Sequence, residues 1–125
     1  MMKGAKFLKI LEALKQIPEI NNRVYYRNPP QKMEFPMIIV ESFSTDVSQY
    51  SIDNKPLEFV HTINIILATK TLKEKFDLID RIYQLLTDYD FGDLVFSRID
   101  SYSDEVLDDD NSIVYLENIK LVLRE

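Results

Sequence analysis

The sequence predicts an α+β domain: a mainly antiparallel sheet of four to five strands with two helices packed on one face. Three observations carry this expectation. Two stretches repeat their apolar residues with the helical period, one near the N-terminus and one over residues 72–89, while the segments around them alternate with the period of a strand. The strand-like segments come in consecutive pairs, the order of hairpins in an antiparallel sheet. At 125 residues the chain has the length of a single domain, 1–125, with one core.

The first helix is expected from about Lys3 to Ile17. Phe7, Ile10, Leu11, Leu14 and Ile17 fall within an arc of roughly 120°, the stripe of a helix lying on a core, while Lys9, Glu12 and Lys15 face outward. Pro18 ends the periodicity because it lacks an N–H and disfavours helical geometry in the residue before it. A short strand follows around Val24-Tyr25-Tyr26, then a turn at Asn28-Pro29-Pro30, since adjacent prolines cannot lie inside a sheet. Met37 to Phe43 reads as a strand whose continuous apolar start implies burial on both faces. Ser44 to Pro56 is polar apart from Val47, Tyr50 and Ile52, and reads as a long exposed hairpin connection.

Leu57 to Ala68 is the clearest strand. Phe59, His61, Ile63, Ile65 and Leu67 share one face, and its β-branched content fits a pleated, packed surface. The second helix is expected to start at Leu72, because Thr71 and Glu74 have the spacing of a capping box. Leu72, Phe76, Ile79, Ile82, Tyr83, Leu86 and Tyr89 form its apolar face, widened by Leu78 and Leu85, with Asp77 and Arg81 as an outer i,i+4 pair. It should end near Tyr89, with Gly92 in the turn. Two strands complete the chain, Leu94 to about Tyr102 and Ser112 to Arg124, joined by the acidic segment Ser103 to Asn111.

Composition removes most familiar active sites. With no Cys, thiol nucleophiles, disulfides, iron–sulfur clusters and Cys-based zinc sites are excluded, and the one His, His61, cannot make a His-rich zinc site. The two Gly, Gly4 and Gly92, are too far apart to build a phosphate-cradling loop. Lys6, Lys9, Glu12 and Lys15 interrupt any signal-peptide pattern, and the apolar run Phe35 to Val40 is far shorter than a membrane span, so a soluble, cytoplasm-made chain with no membrane partner is expected.

The net charge of -6 is unevenly placed. Residues 1–36 carry seven Lys or Arg against three Asp or Glu, and the remainder carries eight against eighteen. Such polarity suits a subunit that pairs unlike surfaces in a ring or stack. Asp104, Glu105, Asp108, Asp109 and Asp110 form the densest cluster, but a calcium loop starting at Asp108 needs Gly and Glu where the chain has Ile113 and Ile119, so no metal site is expected. No activated nucleophile accompanies His61, which reads as a core histidine with a hydrogen-bond partner. Lys3, Lys6, Lys9, Arg23 and Arg27 with Tyr25 and Tyr26 have the composition of a nucleic-acid patch. The acidic balance of the chain favours solubilising lysines and edge-packed tyrosines instead.

The order of parts resembles the tail-completion or tail-terminator (minor tail) proteins of long-tailed bacteriophages and prophages. It covers nearly the whole chain: an amphipathic first helix, Pro29-Pro30 and Phe35-Pro36 before the strand Met37 to Val40, a polar connection, the strand Val60 to Thr69 running into a helix like Phe76 to Tyr89, and a final strand pair. The resemblance implies no enzyme activity, no cofactor and a homo-oligomeric ring, expected to be six-fold, that caps the tail tube. Its implied partners are the tail tube protein, the head–tail connector protein and passing DNA held without specific binding. The implied location is the bacterial host cytoplasm during assembly, then the virion tail. Asp46, Val47, Tyr50 and Ile52 are expected to contact a neighbouring subunit, and Asp104, Glu105, Asp108, Asp109 and Asp110 to line or rim the lumen. Head-completion proteins, and a small ligand- or nucleic-acid-binding module on the same helix-covered sheet, remain the alternatives.

Overall fold

The computed structural model describes residues 4–54, 56–90, 92 and 94–124. The elements run α1 (Gly4–Lys15), β1 (Val24–Tyr26), β2 (Met37–Tyr50), β3 (Pro56–Thr69), α2 (Leu72–Asp88), β4 (Val95–Leu107) and β5 (Ile113–Arg124). They form one five-stranded sheet in the order β1-β2-β3-β5-β4, antiparallel except where β1 pairs parallel to β2. Both helices pack on one face of this sheet, so the fold is the expected α+β class.

The first helix ends two residues before the expected Ile17, and the expected start at Lys3 lies outside the described residues. Gln16 and Ile17 donate to Ala13 and Leu14 (3.1 and 3.3 Å), tightening the last turn ahead of Pro18. Ile10, Leu14, Ile17 and Ile20 are buried, and Asn21 and Asn22 reverse the chain in the left-handed conformation that Asn tolerates. Arg23 then fastens the next connection: its guanidinium donates to the carbonyls of Pro36 (2.8 Å) and Glu19 (2.9 Å), which holds the entry to β2 against β1.

The core lies between the helices and the odd-numbered face of β3 and β5. Ile63, Ile65 and Leu67 of β3 meet Ile119, Leu121 and Leu123 of β5, with Leu78, Ile82 and Leu86 of α2 above them. In β2, Ile38 and Val40 face this core until a bulge at Glu41 inserts one residue, after which Phe43, Thr45 and Val47 sit opposite Ile63, His61 and Phe59. Among the described residues no helix covers the opposite face of the sheet. There a smaller cluster of Met37, Ala68 and Val114, with Tyr25, Phe35, Ile39 and Leu116 against it, sits at one end, and Ser42, Asn64, Asn118, Lys120, Asp100 and Tyr102 continue it as a polar surface.

Four expectations are corrected. Ser44 to Pro56 is not a connection: residues 44–50 continue β2, Pro56 opens β3, and only the short turn at 51–55 joins them. Likewise residues 103–107 continue β4, leaving a turn at 108–112. In both places a neighbouring strand pairs with the backbone while most of the described side chains are polar or exposed, so sequence polarity does not mark a loop. The buried stripe of α2 is Lys75, Leu78, Ile82 and Leu86, and Leu72 and Phe76 are exposed. Arg81 pairs with Glu19 of the α1–β1 connection instead of with Asp77.

Other elements form as read. Thr71 caps α2, its hydroxyl accepting from the Glu74 N–H at 3.2 Å, and Tyr89 closes the helix. Gly92 takes the turn with φ 71°, a conformation glycine adopts without steric cost, and its N–H donates to Asp90 (2.9 Å). His61 is fully buried, its Nδ1 sharing a proton with the Thr45 hydroxyl at 2.9 Å.

Candidate functional site

The residues singled out by sequence fall into two groups at opposite ends of the sheet. Pairing of β3 with β5 stops at Val60 opposite Arg124, whereas β2 and β3 stay paired out to Tyr50 opposite Pro56. Four residues at about 3.3 Å each carry the hairpin about 13 Å past the rest of the sheet before the turn begins. Among the described residues the outer edge of β2 is also unpaired beyond Val40, because β1 covers only Ile38 to Val40. The result is a two-stranded arm. Asp46 is exposed on its open face, Val47 is half-buried at its base, Tyr50 is 59% exposed, and Ile52, in the turn, is completely exposed.

A two-stranded ribbon without a packed face is marginal in water by itself, and a fully exposed Ile at its tip adds no stability to the monomer. Local bonds hold the turn: Asn54 takes φ 63° and donates to the Ser51 carbonyl (2.9 Å), and the Ser51 hydroxyl donates to Asp53. At the arm's base Arg124 reaches Glu58 (3.8 Å). The chain therefore specifies a shaped projection with an apolar end.

The second group is the β4–β5 hairpin. Asp104, Glu105, Asp109 and Asp110 are exposed, but Asp108 has a structural task. Its Oδ1 accepts from the N–H groups of Asp110 and Ser112 (both 2.9 Å), and its Oδ2 accepts from the Lys70 ammonium at the end of β3. Chiefly the Lys70 bond, and then the Ser112 N–H, hold the Asp108 carboxyl below the usual carboxylate range. Asp108 thus anchors the turn, leaving four of the five carboxylates to give the hairpin its negative surface. Val106, Leu107 and Ile113 are exposed beside them, an apolar contribution that the acidic composition hid.

Sequence reasoning also missed a buried ion pair. Lys75 of α2 (side chain 3% exposed) lies 3.7 Å from Glu117 of β5 (6%), and Glu117 accepts from the Ser103 hydroxyl at 2.6 Å. The available signal was Glu117 standing at an inward position of β5 and Lys75 standing three residues before Leu78 on the helix stripe. The pair is accounted for by packing. Two depressions among the described residues are shallow: about 160 Å³ on the open face among Asn64, Tyr102, Asn118 and Lys120, and about 260 Å³ between Met33, Lys70 and Asp108 to Asp110. Both are smaller than the ~300 Å³ at which small-molecule sites begin.

No family model and no curated protein matches the sequence. Among solved structures the fold is similar to that of the gp17 protein of bacteriophage SPP1, with a TM-score of 0.54 at 14% identity over 94% of this chain and 87% of that one. The two chains share a fold. The likeness covers nearly the whole chain and so agrees with the architecture that the order of elements implies.

Proposed function

We propose that the chain is a non-enzymatic structural subunit of a bacteriophage or prophage tail, which forms a ring on the tail tube and joins it to the head connector. The observation that carries this reading is the arm, a preformed hairpin ending in an exposed Ile52, on a fold similar to that of a bacteriophage protein. A projection whose tip is exposed within its own subunit has a use when a neighbour covers it. The shallow surface depressions favour assembly over the small-ligand alternative.

In this reading the β4–β5 hairpin, about 45 Å from the arm along the sheet at ~3.3 Å per residue, faces the DNA path. Asp104, Glu105, Asp109 and Asp110 repel phosphates there and keep the passing duplex from adhering. The role belongs to these four, since Asp108 is engaged by Lys70 and the turn. Replacing Asp109 and Asp110 with Asn leaves the anchor intact and is expected to give assembled particles that eject DNA poorly. Normal ejection would remove the lumen assignment while leaving the ring untouched. The broader reading is tested by sequencing the DNA flanking the reading frame: connector and tube genes beside it support the tail role, and metabolic neighbours overturn it.

A further inference from the structure

The arm needs a surface to land on, and one in the N-terminal part of the fold has the opposite character. Phe7 of α1 stacks on Phe43 of β2 (ring centres 4.8 Å apart) and meets Tyr26 of β1 edge-on (6.0 Å). Leu8, next to Phe7 on α1, is 59% exposed, Tyr26 is 45% exposed, and the Arg27 guanidinium lies 5.0 Å over the Tyr26 ring. The patch is apolar with a cationic border, and the arm is apolar with Asp46 and Asp53 on it.

We propose that the arm of one subunit docks on the Leu8, Tyr26 and Arg27 surface of a second copy of this chain. Tyr50 and Ile52 cover Leu8 and Tyr26, and Asp53 faces Arg27. The contact is between copies for a geometric reason. The patch sits beside Phe43, and the seven residues from Phe43 to Tyr50 along β2 place the tip about 23 Å away from it in the same subunit. Because the two surfaces differ, the contact is head-to-tail, the kind that closes rings when its rotation permits. The inference rests on the ring reading and adds to it the identity of the receiving surface.

The absence of Cys allows a direct test. One batch of chain carries Ile52→Cys and another Leu8→Cys. The two are mixed at high concentration and treated with a short bis-maleimide, with Leu107→Cys replacing the Leu8→Cys chain as control and sedimentation velocity recording the oligomers. All three positions are exposed, so folding, checked by circular dichroism, should be retained. The expected result is an Ile52–Leu8 cross-link several-fold above the Ile52–Leu107 yield. Oligomers with equal yields would overturn the docking surface and leave the ring reading standing. A chain that stays monomeric and gives no cross-link at high concentration would overturn the docking surface, while the ring reading fails only if the chain also leaves tail tubes uncapped.

Discussion

The Lys75–Glu117 pair offers the sharpest test of how this core is held together. Both side chains are almost wholly removed from water, and Glu117 has the Ser103 hydroxyl as a second partner. Taking two charges out of water costs several kcal/mol each, and their mutual attraction together with the Ser103 bond offsets that cost. Lys75→Met therefore leaves a buried carboxylate with one hydroxyl donor, and Glu117→Leu leaves a buried ammonium. Each single change should destabilise the fold by about 3–5 kcal/mol, about a fifth or more of the ~5–15 kcal/mol available to a domain. Lys75→Met with Glu117→Leu removes both charges and keeps the volume, while the exposed Ser103 turns to water. The double variant should lie close to the starting protein or above it in stability. Urea unfolding by circular dichroism measures all four proteins, with the midpoint moving and the denaturant slope unchanged. Single variants that each cost less than about 1 kcal/mol, or a double variant that loses the sum of the two, would refute the reasoning.

Four further outcomes are expected. Leu67→Ala, in the central strand at zero exposure, should cost about 2–5 kcal/mol in the same unfolding assay. Thr71→Ala removes the cap of α2 and should cost about 1 kcal/mol, with Thr71→Ser recovering most of it. Ile52→Ser should leave stability within about 0.5 kcal/mol and yet reduce incorporation into tails, read by quantitative blotting of purified particles. Stability should also fall in acid. Glu19 is held low by its backbone hydrogen bond and then by Arg81, and Asp108 by Lys70 and then Ser112. A folded-state pKa below the unfolded value gives stability that is present above the ordinary carboxylate range and is lost as pH falls through the folded value. The melting temperature should therefore drop below about pH 4, and Glu19→Gln with Asp108→Asn should flatten that part of the profile.

What sequence made legible was whatever depends on one buried face. The alternation of Phe59 to Leu67 in β3, the cap at Thr71 and the stripe of α1 each report local geometry against a core, and all three stand where they were read. The outer half of β4 was read as a connection because neither of its faces is buried there, and residues 44–50 because Thr45 and Val47 on the inward face are only half-buried among polar neighbours. Without a buried face a strand has no apolar alternation, and Thr45 to Gln49 or Ser103 to Glu105 look like loop. Arg81 chose Glu19 over Asp77 because tertiary packing brings a residue 62 positions away closer than the helix neighbour, which no periodicity encodes. Of the candidate site, the residues were legible and the arrangement was not. Asp46 to Ile52 and Asp104 to Asp110 were named, but their placement at opposite ends of one sheet, and the diversion of Asp108 into an anchor, follow from pairing register alone.

The central claim is that this subunit closes onto the end of a tail tube. The most direct measurement mixes the purified chain with tail tubes from particles lacking it and images the tubes by electron microscopy. The account predicts a ring of extra density at one end of each tube and uniform tube length, with Ile52→Ser leaving the ends bare. Tubes that stay uncapped and keep growing in the presence of folded protein would contradict it.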